Sequence, residues 1–516
     1  MTDRLLRASA VLLVCLSIAR AQQYCARCHA QEVAAFEKSP MGRSIGAPSV
    51  FTEGRIVHKQ SGSTLTINRN GEVLVHQLER HGLVARYPVA YSVGAGIVGY
   101  SYIVRLGQYL YQSPLSYYTQ TKNWDLTPGY ETDPNLDFTH QITSGCLFCH
   151  TGSVNLVQGT GNQFADPPFT SISCERCHGS TAAHLQNPIP GSIMNPARLP
   201  PSKRDSVCEQ CHLEGDARIL NPGRDWWDFK AGQATESTFV TYLKKSDPGS
   251  LRAVSQSELL AKSKCAVQSG GQLWCGTCHN PHGEKGNREQ EIQQVCLSCH
   301  GSLFKAGGHQ PADECVSCHM PRLRPTNVAH SAVTDHSIPR VPRSQQTEAA
   351  GDSDQLWAWR EPDDPMLRRR DLGLAYFEMA TGSKAAEDLR KAYELLSKLP
   401  SHTRNNDPAV EADLGSALLT SGHVDVAVQL LTQASAQEPA NARYAYCLGT
   451  ALERAGNSGE AVKQLRRSIA LDPSQPDAYL ELAEFYKKTG HETESRAMLQ
   501  DYLRFMPQNT SLRMAH

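Results

Sequence analysis

The sequence predicts a mainly α chain in two parts. A cysteine-rich N-terminal part with a small antiparallel β insertion precedes an α-solenoid. Three observations carry that reading. The motif C-x-x-C-H occurs seven times before residue 320. Residues 50–125 hold no cysteine and read as strands. From residue 365 onward, small and apolar residues recur every 34 positions.

Length and charge bound the function. A chain of 516 residues has room for about three domains. Lys+Arg is 51 and Asp+Glu is 52, so the net charge is −1. No dominating basic surface is present, which argues against nucleic acid as a main partner. Residues 1–21 read as a signal peptide: Arg4 and Arg7, an apolar run from Ala8 to Ile18, then Ala19-Arg20-Ala21 as the cleavage site. A lipoprotein anchored through Cys15 is the alternative. The apolar run is shorter than the ~18 residues a span requires, so no transmembrane span is expected in the mature chain. The protein is expected to be exported, periplasmic or extracellular.

The motif decides among the uses of 17 cysteines. Its copies are Cys25-Ala-Arg-Cys28-His29, Cys146-Leu-Phe-Cys149-His150, Cys174-Glu-Arg-Cys177-His178, Cys208-Glu-Gln-Cys211-His212, Cys275-Gly-Thr-Cys278-His279, Cys296-Leu-Ser-Cys299-His300 and Cys315-Val-Ser-Cys318-His319. Composition alone gives about 0.02 copies, and C-x-x-C-H is the attachment signature of c-type haem. Two thiols three positions apart reach the two vinyl groups of one haem. The adjacent histidine then lies under the iron as proximal ligand. Seven covalently attached haem c groups are expected. Zinc sites or disulfides are the other use of paired cysteines, but neither needs a histidine after every second one.

The distal ligands are less determined. His184, His282, His309, His330 and His336 lie in the motif-dense stretches and are candidate distal ligands. Met41, in Ser39-Pro40-Met41-Gly42, is a candidate for the first haem, and a thioether there would raise its potential. His58, His76, His81 and His140 read first as surface or hydrogen-bonded residues. From the second motif on, each motif histidine is followed by the next cysteine after 24, 30, 63, 17 and 15 residues. Such short spacers predict haems near contact. Cys265 has no histidine after it and reads as a buried structural thiol, with a thiolate ligand or reactive thiol as the alternative.

The insertion at 50–125 has a hairpin signal, with Ser63–Asn68 and Glu72–Gln77 flanking Asn70-Gly71. Gly94-Ala-Gly96-Ile-Val-Gly99 matches a dinucleotide-binding fingerprint. A strand-like Tyr-Ser-Tyr-Ile-Val follows it where that fingerprint requires a helix, so it reads as a bend. Residues 346–364 read as a linker. In the repeats, Gly415, Gly449 and Ala483 share one register position, as do Gly422, Gly456 and Gly490, and Pro439, Pro473 and Pro507. The period resembles that of tetratricopeptide repeats, with clear copies at 408–441, 442–475 and 476–509 inside a 365–516 domain. Such an array offers a concave face for a redox protein partner or for self-assembly. Cys447 falls within a helix there and reads as core.

The motif region forms a domain over 22–345, and from about 25 to 345 it resembles the multihaem cytochromes c that include hydroxylamine oxidoreductase, its tetrahaem electron acceptor and the pentahaem nitrite reductases. The residues that carry this are Cys174–His178 with His184, Cys275–His279 with His282, and Cys315–His319 with Met320-Pro321, His330 and His336. The resemblance implies a haem-packed multihaem cytochrome c domain that transfers electrons along a haem chain. It also leaves an alternative: a multihaem oxidoreductase acting on a small nitrogen or sulfur compound at one open-site haem. The pentahaem nitrite reductases usually carry C-x-x-C-K at the catalytic haem, and all seven motifs here end in histidine.

Overall fold

The computed structural model describes residues 24–506 and residue 509. Within that range it leaves out 51, 132, 135, 166–168, 246–250, 284–287, 305–313, 326–327, 329–331, 342–352 and 381–384. The expected signal peptide with Cys15, His309, His330, Pro507 and the first part of the expected linker lie outside the described residues.

The first large unit is a sheet. β1 (Ile45–Gly46), β2 (Gly54–His58), β3 (Ser63–Asn70), β4 (Val73–Arg80), β5 (Leu83–Val93), β6 (Gly99–Leu106), β7 (Tyr109–Tyr118) and β8 (Asn123–Leu126) form one eight-stranded antiparallel sheet. Strands β2 to β8 pair in chain order, and β1 joins β5. Strict alternation of buried and more exposed residues along β3 and β4 explains why these segments become strands with one core face. The hairpin between them differs in detail from expectation. Asn70 pairs with Val73, so Gly71 is the first central residue of the turn, at φ 63°. The next turn is His81-Gly82, both at positive φ, which makes His81 a turn residue.

The sheet curls until its ends meet. Register shifts at Val89/Tyr91 and Ser101/Ile103 bend β5, β6 and β7. Trp124 of β8 donates through Nε1 to the Thr52 carbonyl at 2.9 Å, beside β2. Its ring fits because residue 54 is glycine: a Cβ there would stand 2.6 Å from Trp124 Cδ1. The inside is filled by Leu65, Ile67, Leu74, Leu78, Tyr87, Tyr102 and Leu115, all essentially inaccessible to solvent.

The expectation of a mainly α chain with a small insertion is therefore overturned. A nearly closed, barrel-like antiparallel sheet occupies the N-terminal region, and helices dominate at the C-terminus. Two smaller sheets add to it. β9 (Ala217–Leu220) and β10 (Phe239–Lys245) pair antiparallel, and β11 (Arg322–Leu323) pairs β12 (Val333–Thr334). β13 (Ser353–Ala358), in the segment read as linker, pairs β10 on its other edge. The physical reason is that most motif-bearing helices are short. Glu175–His178 has 4 residues, Cys315–His319 has 5 and Ser144–His150 has 7. A helix that only presents a five-residue motif adds little helical weight.

Among the described residues, the C-terminal region is four helix pairs, Pro365–Met379 with Ala385–Leu396, Pro408–Thr420 with Val424–Gln437, Ala442–Arg454 with Ser458–Leu471, and Pro476–Lys488 with Glu492–Phe505, with the single-turn helix Ser401–Arg404 between the first two pairs. The repeat register has a packing cause. A Cβ at Gly415 would meet Leu431 Cγ at 2.8 Å, and one at Gly449 would meet Leu465 Cγ at 2.7 Å. The absent side chain lets the paired helices approach. The array is not set apart from the rest. Residues of β9, β10 and β13 share one apolar core with Leu374, Leu396, Leu414 and Leu448. At the other end, Tyr479, Tyr502 and Met506 complete the core of the barrel-like sheet.

Candidate functional site

All seven C-x-x-C-H motifs open onto one cavity of about 5110 Å³. Ordinary single-ligand pockets span about 300–1,000 Å³, so this space suits several large groups. Both cysteines and the histidine of every motif line it, and so do His184, His282, His336, Met41 and Cys265.

The tertiary structure brings the histidines together in pairs. The His29 and His184 rings face each other with centroids 6.3 Å apart. His178 faces His282 at 5.8 Å, nearly parallel at 8°. His279 faces His336 at 6.2 Å. An imidazole nitrogen binds a first-row metal at about 2 Å, so two rings on opposite sides of one metal have centroids about 6 Å apart. The pairing crosses the sequence. His282 lies three residues after His279, yet it faces His178 of the third motif.

Hydrogen bonds orient these rings. His178 Nδ1 donates to the Met194 carbonyl at 2.9 Å, and His336 Nδ1 to the Thr334 carbonyl at 2.9 Å. His319 Nδ1 donates to the Pro339 carbonyl at 2.9 Å. His184 Nδ1 lies 2.8 Å from Ser192 Oγ, whose own hydrogen goes to Ile189 O. A carbonyl can only accept, so Nδ1 carries the hydrogen and Nε2 keeps its lone pair for a metal. Burial lowers the pKa of His150, His212 and His336, and lowers that of His279 to about 4. In all four, burial disfavours the protonated ring, and the neutral imidazole is the form that ligates.

The thiols show which motifs are neighbours. Cys25 lies beside Cys174, Cys149 beside Cys211, and Cys208 beside Cys275. Cys208 also feels the charge of Cys177, and Cys296 that of Cys315 and Cys278. The Cys149 thiol is pushed down to about 6 by its contact with Cys211 and by the Arg218 guanidinium.

The donor set fits haem c. Each motif supplies two thiols and one imidazole at the wall of a shared cavity. Among the described residues, no three His, Cys, Asp or Glu side chains are grouped so as to hold a bare metal ion.

The structure places the remaining residues as follows. His58 is bonded to Ser61 Oγ and the Glu131 carbonyl. His76 lies inside the barrel-like sheet on Ser113 Oγ at 2.7 Å. The His140 ring packs on Tyr130 at 4.4 Å. Met41 sits in a single helical turn, Met41–Arg43, at the cavity wall. Gly94 and Gly96 both have positive φ, and the chain continues into β6. Trp226, Trp227 and Phe229 pack around Phe148 and Phe239. Sequence reasoning missed Arg176 and Arg218. The Arg176 guanidinium lies 4.1 Å from the Phe148 ring centroid and donates to the Phe148 carbonyl. Position x of a C-x-x-C-H motif gave no signal for this.

Known proteins match in pieces. Tetratricopeptide repeat models match residues 412–476 and 452–516. A doubled CXXCH motif model matches 266–305, and the cytochrome c554 and c-prime model matches 117–179. The multiheme cytochrome MtrA of Shewanella baltica is 27% identical over 201 residues, 34% of this chain and 59% of that protein. The dissimilatory sulfite reductase MccA of Wolinella succinogenes is 28% identical over 181 residues, 29% of this chain and 22% of that one. The chain thus spans less than two thirds of either relative. A crystal structure of MamA matches at TM-score 0.25 and 20% identity, over 28% of this chain and 81% of its own.

Proposed function

We propose that this chain, a multihaem cytochrome c with C-terminal tetratricopeptide repeats, carries electrons along seven covalently bound haems. Cys25 and Cys28, Cys146 and Cys149, Cys174 and Cys177, Cys208 and Cys211, Cys275 and Cys278, Cys296 and Cys299, and Cys315 and Cys318 hold one haem each. His29, His150, His178, His212, His279, His300 and His319 are the proximal ligands. His184, His282 and His336 are the distal ligands for the first, third and fifth haems. The observation that carries the reading is the three facing imidazole pairs inside one cavity bordered by all seven motifs.

Haem supplies a reversible one-electron couple. The chain's own residues do the rest. They attach it, fix its axial ligands, set its burial and bring neighbours close. The thiol contacts support an order in which the first motif adjoins the third, the third adjoins the fourth, and the fourth adjoins the fifth. The sixth and seventh continue the line, and the second branches from the fourth. Tunnelling falls steeply with edge distance, so contact between attachment points is what electron hopping needs. Residues 22–345 form the electron-carrying unit, and 365–516 present a surface to a redox partner. The protein works outside the cytoplasm after loss of residues 1–21. Among the described residues, no helix is long and apolar enough to cross a membrane.

The test is low-temperature EPR of the oxidised protein with a pyridine haemochrome count. Seven haems per chain with low-spin ferric signals alone support the electron-carrier reading. A stoichiometric high-spin signal that shifts on adding nitrite, hydroxylamine or sulfite replaces it with an enzyme of an open-site haem.

A further inference from the structure

We infer that the turn between the second and third clear repeats, residues 472–475, is a positioning element for the haem of the second motif. The inference rests on the reading that Cys146, Cys149 and His150 hold a haem. It adds that one edge of the repeat array is engaged within its own chain.

The turn ends in a buried polar knot. Asp472, Ser474 and Asn162 are each 1% exposed or less. Gly161 N donates to Asp472 Oδ2 at 3.1 Å. Ser474 Oγ lies 2.6 Å from Asp472 Oδ1 and 3.2 Å from Asn162 Oδ1. Gln141 Nε2 donates to Ser474 Oγ at 3.3 Å, and Gln475 Nε2 donates back to Gln141 Oε1 at 3.2 Å. Asn162 Nδ2 passes the contact to the Leu110 carbonyl of β7 at 2.9 Å, and that carbonyl also receives Ile142 N. Four segments of chain meet here: the repeat turn, residues 159–163, residues 140–142 and β7. Buried polar groups are costly unless paired, so the repeats are held against this spot in one register.

The knot leads directly to the second motif. Gln141 and Ile142 are followed by the helix Ser144–His150, which carries Cys146, Cys149 and His150. Ile142 packs in the same apolar cluster as Leu147 of that helix. A shift of the turn is therefore passed to the motif through two residues of extended chain.

The repeat register offers an independent sign. Asn441 occupies the position 34 residues before Gln475 and caps its helix by accepting from Tyr444 N. Gln475 makes no such cap, and its amide goes to Gln141 and Asp472 instead. Asp472 and Ser474 likewise replace Glu438 and Ala440 of the preceding copy. The repeat departs from its own pattern where it touches the motif segment.

The test uses the full-length, haem-loaded protein. Asp472→Ala removes the acceptor of Gly161 N, while Gln475→Asn restores a capping residue and gives up Gln141. Both are expected to keep the haem count and to change the EPR g-values of one haem, with the others unmoved. The moved signal is expected to be the one that His150→Met also alters. Glu438→Ala, in the preceding turn, is expected to move none. Gln475→Asn is the sharper probe, because a better cap leaves helix stability unchanged or raised while the haem signal moves. EPR spectra of both variants identical to wild type would overturn the inference, even if Asp472→Ala lowers Tm. Wild-type peptide mapping that finds no haem on Cys146 and Cys149 would instead remove the reading beneath it.

Discussion

The barrel-like sheet and the motif-bearing segments build their interiors by opposite means. In the sheet, alternate residues of long strands meet one another, and Leu65, Leu78 and Leu115 are fully buried by protein. Around the motifs, short helices line a cavity and leave most of their cysteines half-buried. A strand pattern encodes its own core. A C-x-x-C-H motif encodes an attachment point and relies on its prosthetic group for the rest.

That contrast can be broken most directly by withholding haem. Protein made without haem attachment is expected to lose protease resistance across residues 140–340 and to keep it across 54–126. Limited proteolysis with mass mapping reads the outcome, and equal resistance of both regions would end the comparison. The next effect sits in the sheet. Leu65→Ala is expected to destabilise it by about 2–5 kcal/mol in urea unfolding without altering the haem count. A lowered count would mean that the two interiors are not separate.

A pH titration sharpens the comparison further. Burial lowers the His76 pKa from 6.5 to about 3 inside the sheet. The unfolded chain then binds a proton that the folded chain refuses between these values, so stability falls as pH drops from 6.5 towards 3. The slope is about 1.4 kcal/mol per pH unit at most. His76→Phe is expected to flatten it, as read by unfolding of the sheet. The smallest effect belongs to the repeats. Asn441→Ala removes a helix cap and is expected to cost about 1 kcal/mol, with no change in any haem signal.

Much of this was legible in the chain. The seven motifs, the 34-residue period and the Asn70-Gly71 hairpin all rest on neighbours within a few residues or on a fixed repeat. The fold class was not legible, because alternation in 54–126 marks strands but does not say that β2 and β8 approach. That depended on Gly54 making room for Trp124. The linker reading missed β13 because a lone edge strand needs β10, more than a hundred residues away, to define it. The candidate distal histidines His184, His282 and His336 stood out by their company, but their partners did not.

The sequence by itself determined the attachment chemistry and the repeat architecture. Both are written in covalent spacing: two thiols and an imidazole within five residues, or a helix pair every 34. Only the tertiary structure decided that His282 faces His178 rather than its neighbour His279, that seven motifs share one cavity, and that a repeat turn grips Gln141. Those relations join segments far apart in the chain. Packing sets their distances, and no local pattern carries them.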